Sequence, residues 1–305
     1  MTSHIGADTA PSTSPDTTPP GAVPEPAIVR ADRARKKNRR RGLAGAYIGG
    51  GMLAALAVAA IVCRFFLDSD RIDPAMVLTA PTGEHPFGTD SAGRDVALRT
   101  FAAAAADLPL ALGGTAVAMV VGTALGLLAG SGGRGSGYIM RIVDGFDAFP
   151  LLILILVIVQ ISGGGTAILL ATIAILNIPR FIRLTRAESM HLRESRYVFY
   201  SQVIGTSVYY RLRTHILPNI SGTILSQAST GAALALSAVG AMSFLGLGIA
   251  PPIPSWGSMI QAGSAGLTTG QWWPIAFPAL ALVYSIVALN LISDSLDAHF
   301  AKEVE

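Results

Sequence analysis

The sequence predicts an all-α integral membrane protein with six transmembrane helices and both termini in the cytoplasm. Three observations carry this reading. First, 51% of the 305 residues are hydrophobic and only 13% are charged, whereas a soluble domain carries about 25% charged residues; the mean hydropathy of +0.53 agrees. Second, the apolar residues gather into runs of near-spanning length, without the polar face that a soluble helix keeps. Third, the basic residues fall into two clusters, each beside an apolar run, which is how membrane proteins set their orientation.

Residues 1–42 read as a disordered tail that ends in a basic juxtamembrane cluster. Positions 1–29 are rich in Ala, Pro, Thr and Ser with no hydrophobic period, a composition that cannot bury a core. They do not form a signal peptide, because the charged cluster follows at a distance. The cluster RADRARKKNRRR (30–41) adjoins the first span, 43–67, so it stays inside and touches anionic lipid heads. Residues 68–107 form an extracytoplasmic segment in which Asp68, Asp70, Asp73, Glu84, Asp90 and Asp95 face Arg71, Arg94 and Arg99. Its end, 94–106, reads as an amphipathic helix on the outer surface.

Residues 108–305 form a core of five further spans. The second, 108–130, is rich in Gly, Ala and Thr, which lets helices approach closely. The third, 138–161, carries Pro150 as a point of kinking. The fourth covers 167–184 and runs into Arg180, Arg183, Arg186, Arg193, Arg196, Arg211 and Arg213, a second basic region that the charge bias places inside. The fifth covers 217–247. After an uncharged outer loop, 248–271, the sixth covers 272–292, with Trp272 and Trp273 at its outer edge, where indoles favour the interface.

The net charge of +3 does not indicate a nucleic-acid partner, because the basic residues flank spans. Cys63 is the sole cysteine, so it forms no internal disulfide and reads as a small apolar side chain. The glycine runs at 49–51 and 163–165 lack the Lys-Ser/Thr of a phosphate-binding loop, so this chain does not hydrolyse ATP. His4, His85, His191, His215 and His299 are scattered, and none has the spacing of a helical zinc site. Without a Gly-x-Ser-x-Gly elbow either, the chain reads as no enzyme. Asp107, Asp144, Asp147, Asn177 and Asn290 lie in or near spans, where a polar group is a functional candidate. Their structural reading, as caps or helix–helix hydrogen bonds, is preferred; Asp107, just before Pro109, looks like a helix start. An ion-coupled carrier would want an acid deep in a span, and here the acids gather at span ends.

The segment SRYVFYSQVIG (195–205) lies in the cytoplasmic loop, yet Tyr197, Val198, Phe199, Tyr200, Val203 and Ile204 are apolar or aromatic. On a helix, Tyr197, Tyr200 and Ile204 share one face, which should not be left wet. Two readings stand: packing against the chain's own span ends, or docking into a groove of a cytoplasmic partner.

Four stretches together resemble the dipeptide/oligopeptide ABC importer permeases, C-type subunit: HPFGTDSAGRDV (85–96), MRIVDGFDAFP (140–150), SFLGLGIAPPIPSWGSMI (243–260) and LNLISDSLDAHF (289–300). The resemblance covers nearly everything from residue 43 onward. It implies a type I importer permease in a bacterial inner membrane, working as a heterodimer with a second permease, two ABC ATPase subunits and an extracytoplasmic substrate-binding protein. ATP and Mg would then be bound in the ATPases, with no cofactor in this chain. It further implies a coupling helix near 195–206. In the family pattern, Glu-Ala-Ala is followed by three residues, Gly, nine residues and Ile-x-Leu-Pro. Gly205, Leu217 and Pro218 match; His215 replaces the isoleucine, and Phe199, Tyr200 and Ser201 replace Glu-Ala-Ala. The carboxylate contact with the ATPase groove is thereby lost, which leaves an aromatic docking face or weaker coupling in this half. The ATPase-coupling set is thus Tyr197, Phe199, Tyr200, Ser201, Gly205, Leu217 and Pro218. Pro251, Pro252, Pro254, Ser255 and Trp256 form either a docking surface for the binding protein or a re-entrant cap on the pore. The competing class is a stand-alone channel or ion-coupled secondary transporter, which would move cargo without an ATPase.

Overall fold

A computed structural model describes residues 27–133, 135–163 and 165–300, with side chains throughout except at 27–43, Arg64, Phe66, Leu151, Leu152, Tyr197 and Phe199. The chain divides into two compact units, Met1–Asn38 and Arg39–Glu305. The expected disorder at 1–26 lies outside the described residues, whereas 27–42 are helical rather than irregular. Helix α1 (Ala27–Phe66) therefore starts well before the first apolar run. Ala, Arg and Lys, which dominate 30–41, are among the best helix formers.

Among the described residues, five helices are long and apolar enough to cross a membrane. They are α1, α2 (Val96–Gly130), α5 (Thr166–Arg193), α8 (Leu217–Phe244) with the turns leading into it, and α10 (Trp273–Phe300). The third expected span is broken. Helix α3 (Ser136–Asp147) and helix α4 (Leu151–Ser162) each run for 12 residues, about 18 Å, too short to cross about 30 Å of hydrocarbon alone. Pro150 causes the break: it disfavours helical backbone at Phe149 and opens α4 as its cap. The expected surface helix at 94–106 is not separate either. Residues 96–107 are the first turns of the 35-residue α2, with Pro109 inside it. Packing against neighbouring helices carries α2 through the one hydrogen bond that Pro109 removes.

The closest packing joins α2 to α5. A Cβ on Gly122 would lie 2.5 Å from Phe181 Cβ and 3.0 Å from the Ile178 carbonyl, and one on Gly126 would lie 2.6 Å from Thr185 Cβ. The small residues let the two backbones meet, as expected of 108–130. Helix α8 packs on α10, α2 and α5, tied to α10 by Thr230 and Ser226, whose hydroxyls lie 2.6 and 3.2 Å from Ser293 Oγ. Short α9 (Trp256–Gly263) fits among α8, α10 and α2. By contrast, α3 buries only Val143, and Ile142, Phe149, Ile153 and Ile161 stand exposed along the broken pair. Exposed Val58, Val120, Leu280 and Val283 on the long helices would be costly in water but are suited to lipid.

Candidate coupling surface and outer-face site

Between α5 and α8 the chain forms α6 (Arg196–Val203), α7 (Val208–Arg211) and one π turn, Leu212–Ile216. Gly205 ends α6 with φ +83°, and its N–H donates to the Gln202 carbonyl at 3.0 Å. A side chain resists that left-handed backbone, so glycine closes the helix cheaply. The turn is locked by Ser201, which is buried, its Oγ 2.6 Å from Thr206 Oγ1. Arg211 donates to the Thr206 carbonyl. Pro218 has no N–H for the Thr214 carbonyl, and the π turn just before it absorbs the mismatch.

Val198 is buried and shares a small recess with Arg193, Leu212 and Ile216, so one face of α6 packs on the chain's own helix ends. The other face is open. Tyr200 is 63% exposed, Val203 68%, Ile204 81% and Tyr209 70%. The two readings of 195–205 therefore divide between opposite faces of one helix. Within the sequence-derived coupling set, Tyr200, Gly205 and Pro218 are exposed, Leu217 is half-buried and Ser201 is buried; the side chains of Tyr197 and Phe199 lie outside the described residues. Arg193 donates from Nη1 to the Gly130 carbonyl at 3.0 Å, closing the end of α2. Nearby, Arg183 of α5 joins Asp144 at 2.9 Å and also Asp147. The helix–helix reading of those two acids holds.

At the opposite end, the stretch 85–96 is a folded knot. Asp90 Oδ1 accepts from Ala92 N at 2.8 Å and Arg94 N at 3.0 Å, and its Oδ2 accepts from Arg94 Nε at 2.9 Å. Asp95 caps α2 through Leu98 N at 3.0 Å and lies 2.7 Å from His85 Nδ1. At Gly93, φ is +75° and a Cβ would fall 2.0 Å from the Asp73 carbonyl oxygen, so only glycine fits. Phe87 stacks on Phe277 with ring centroids 4.0 Å apart, and Trp273 donates from Nε1 to the Thr89 carbonyl at 3.1 Å. Trp273 is thus buried, and only Trp272 sits at an exposed edge.

Trp256 is fully buried. Its backbone N–H, at the start of α9, donates to Asp107 Oδ2 at 2.8 Å, and its indole N–H donates to the Thr100 carbonyl at 2.8 Å. Asp107 is a cap after all, but of α9 across the fold rather than of its own helix, where it lies well inside α2. The expectation that acids gather only at span ends therefore fails at this residue. Pro251 and Pro252 are exposed, whereas Pro254, Ser255 and Trp256 are buried. The IAPPIPSWG turn thus offers 250–253 outward and buries Ile249 and 254–257. Sequence reasoning missed both the Asp107–Trp256 tie and the Arg183 pair; the signal for each was a charged residue inside an apolar run. Among the described residues no cluster of His, Cys, Asp and Glu could hold a metal ion.

The family described as binding-protein-dependent transport system inner membrane component matches residues 122–305, the stretch that holds α5, both basic loop helices and α8. The chain belongs to this family. This inner-membrane component is 36% identical over 260 residues to the di/tripeptide transport system permease protein DppC of Pseudomonas aeruginosa, covering 81% of this chain and 85% of that one. It is 35% identical over 225 residues to the dipeptide transport system permease protein DppC of Alkalihalophilus pseudofirmus, covering 73% and 74%. It is 34% identical over 232 residues to the glutathione transport system permease protein GsiD of Pectobacterium atrosepticum, covering 76% and 75%. The inner-membrane component is a transport subunit of the membrane, and the exposed α6–α7 surface lies inside its matched region.

Proposed function

We propose that this inner-membrane component forms half of the pathway of an ATP-driven importer of dipeptides or oligopeptides. It would pair with a second permease, two cytoplasmic ATPases that bind ATP and Mg, and an extracytoplasmic binding protein. The observation that carries the reading is the open face of α6–α7, where Tyr200, Val203, Ile204 and Tyr209 are exposed on the side that the Arg bias assigns to the cytoplasm. An apolar helix face of this kind fits a partner groove. The names of the relatives support peptides as cargo.

In this reading ATP binding closes the ATPase pair and pushes α6. Val198 passes the push to Leu212 and Ile216, and from there it enters α8, which packs on α2, α5 and α10. The two permeases then open outward, and hydrolysis resets them. Because Phe199, Tyr200 and Ser201 stand where the family pattern has Glu-Ala-Ala, docking rests on apolar contact and not on a carboxylate. Exposed Pro251 and Pro252 form the stiff rim offered to the binding protein.

The test is purification in mild detergent followed by reconstitution. The reading expects a second permease and two ATPases to co-purify, and peptide uptake into liposomes to require ATP. Uptake by this chain alone, without an ATPase, would refute it.

A further inference from the structure

A cavity of about 370 Å³ opens on the outer face, between the 85–96 knot, the Pro251–Pro252 rim and the start of α10. Its polar lining is unbalanced. Asp90 is the lining carboxylate, and both its oxygens are taken by Ala92 N, Arg94 N and Arg94 Nε. Gln271 Oε1 is taken by the Thr269 hydroxyl at 2.6 Å. The donors are in surplus. Arg99 is only 6% exposed; its Nη1 reaches Asp70, while its Nε is buried without a hydrogen-bond partner, 4.0 Å from Asp90 Oδ2. The Nη atoms of Arg94 and the side-chain amides of Gln261 and Gln271 donate to no group among the described residues.

Two guanidinium groups and two amides with donors to spare, beside an Asp90 carboxylate and a Gln271 oxygen already in use, suit a ligand rich in acceptors. Guanidinium matches the fork of a carboxylate and can bind it through two parallel hydrogen bonds. The volume falls within the range of small-ligand sites, enough for a carboxylate with the residue that bears it. We propose that the cavity is a carboxylate-binding site, with Arg94 and Arg99 on the anion and Gln261 and Gln271 orienting the residue that carries it. The carboxylate comes either from the C-terminus of a peptide cargo or from an acidic side chain of the binding protein; this choice of sources rests on the proposed function, and the site itself does not.

The experiment labels the full chain in lipid nanodiscs. Ala265→Cys, at an exposed lining position with no assigned role, is introduced after Cys63→Ala, and its modification by the anionic sulfonatoethyl methanethiosulfonate is compared with that by the cationic trimethylammonium-ethyl reagent. Rates are normalised to a free thiol. Because Arg94 pairs with Asp90 and Arg99 with Asp70, the site carries no net positive charge, and the anionic reagent is favoured only through the spare guanidinium donors, by about threefold. Arg94→Gln removes most of that preference; Arg94 is the safer variant because its side chain is 26% exposed and that of Arg99 only 7%, and elution on size exclusion checks its fold. Millimolar dialanine then slows labelling while its C-terminal amide does not, which marks cargo as the source. If dialanine fails and the assembled binding protein protects instead, the binding protein is the source. Equal normalised rates overturn the site, as does a preference that survives Arg94→Gln, or an anion preference that neither dialanine nor the binding protein attenuates. Labelling of the isolated chain needs no transport, so loss of ATP-driven uptake would sink the proposed function and leave this result standing.

Discussion

Replacing Asp107 tests how α9 is held. Asp107→Asn and Asp107→Ala both remove the buried carboxyl group, but only asparagine keeps an oxygen in line with the Trp256 N–H that now sits 2.8 Å from Oδ2. Trp256 is wholly buried, so in the alanine variant that amide loses its partner with no water to replace it. A buried donor left unpaired costs about 1–3 kcal/mol. The two variants share the loss of the carboxyl group, so their difference reports the hydrogen bond together with the small cavity that alanine leaves at this buried site. Taking about 2 kcal/mol, and about 2–4 °C per kcal/mol for a domain of 150–250 residues, alanine melts roughly 4–8 °C below asparagine. The assay is thermal stability in mild detergent, followed by fluorescence-detected size exclusion. If the two variants melt together, the carboxylate does not hold α9 and the tie has no energetic role.

Three other outcomes follow from the packing and the exposed surfaces. Gly122→Ala drives a Cβ to 2.5 Å from Phe181 Cβ, so it destabilises by about 1–3 kcal/mol, whereas Gly145→Ala, with nothing within 4 Å, does not; the same melting assay compares them. Val203→Glu combined with Ile204→Glu leaves the fold and membrane insertion intact, since both side chains are exposed, but abolishes ATP-dependent uptake in liposomes, where a carboxylate must enter an apolar groove. Arg183→Gln, which removes two ion pairs whose three members are 45%, 64% and 44% exposed, costs about 1 kcal/mol or less, and less still at high salt.

The membrane character, the charge bias and the order of the long helices were legible because hydropathy and Arg clustering are local signals. Pro150 announced a disturbance, and the structure makes it a full break. The length of α2 was hidden, because 96–107 is polar enough to look like a surface helix while its continuation rests on contacts with α5, α8 and α9. Asp107 was read as capping its own helix; its partner, Trp256, is 149 residues away in sequence, and no local pattern joins them. The coupling loop was half legible. Its apolar residues were plain, but their division into a packed face at Val198 and an open face at Tyr200 and Ile204 depends on how α6 sits on the π turn. The knot at 85–96 was recognised as a motif. Its reasons, a carbonyl crowding Gly93 and a carboxylate saturated by three donors, are tertiary.

Ile204, which is 81% exposed on α6, reports directly on the side of the membrane that the coupling surface faces and on what covers it. With Cys63→Ala as background, Ile204→Cys is exposed to a membrane-impermeant maleimide. Labelling is predicted only in inside-out vesicles, and to fall when the partner ATPases are bound. Labelling from outside in intact cells, or a rate in inside-out vesicles that the ATPases leave unchanged, would contradict a cytoplasmic surface that grips them.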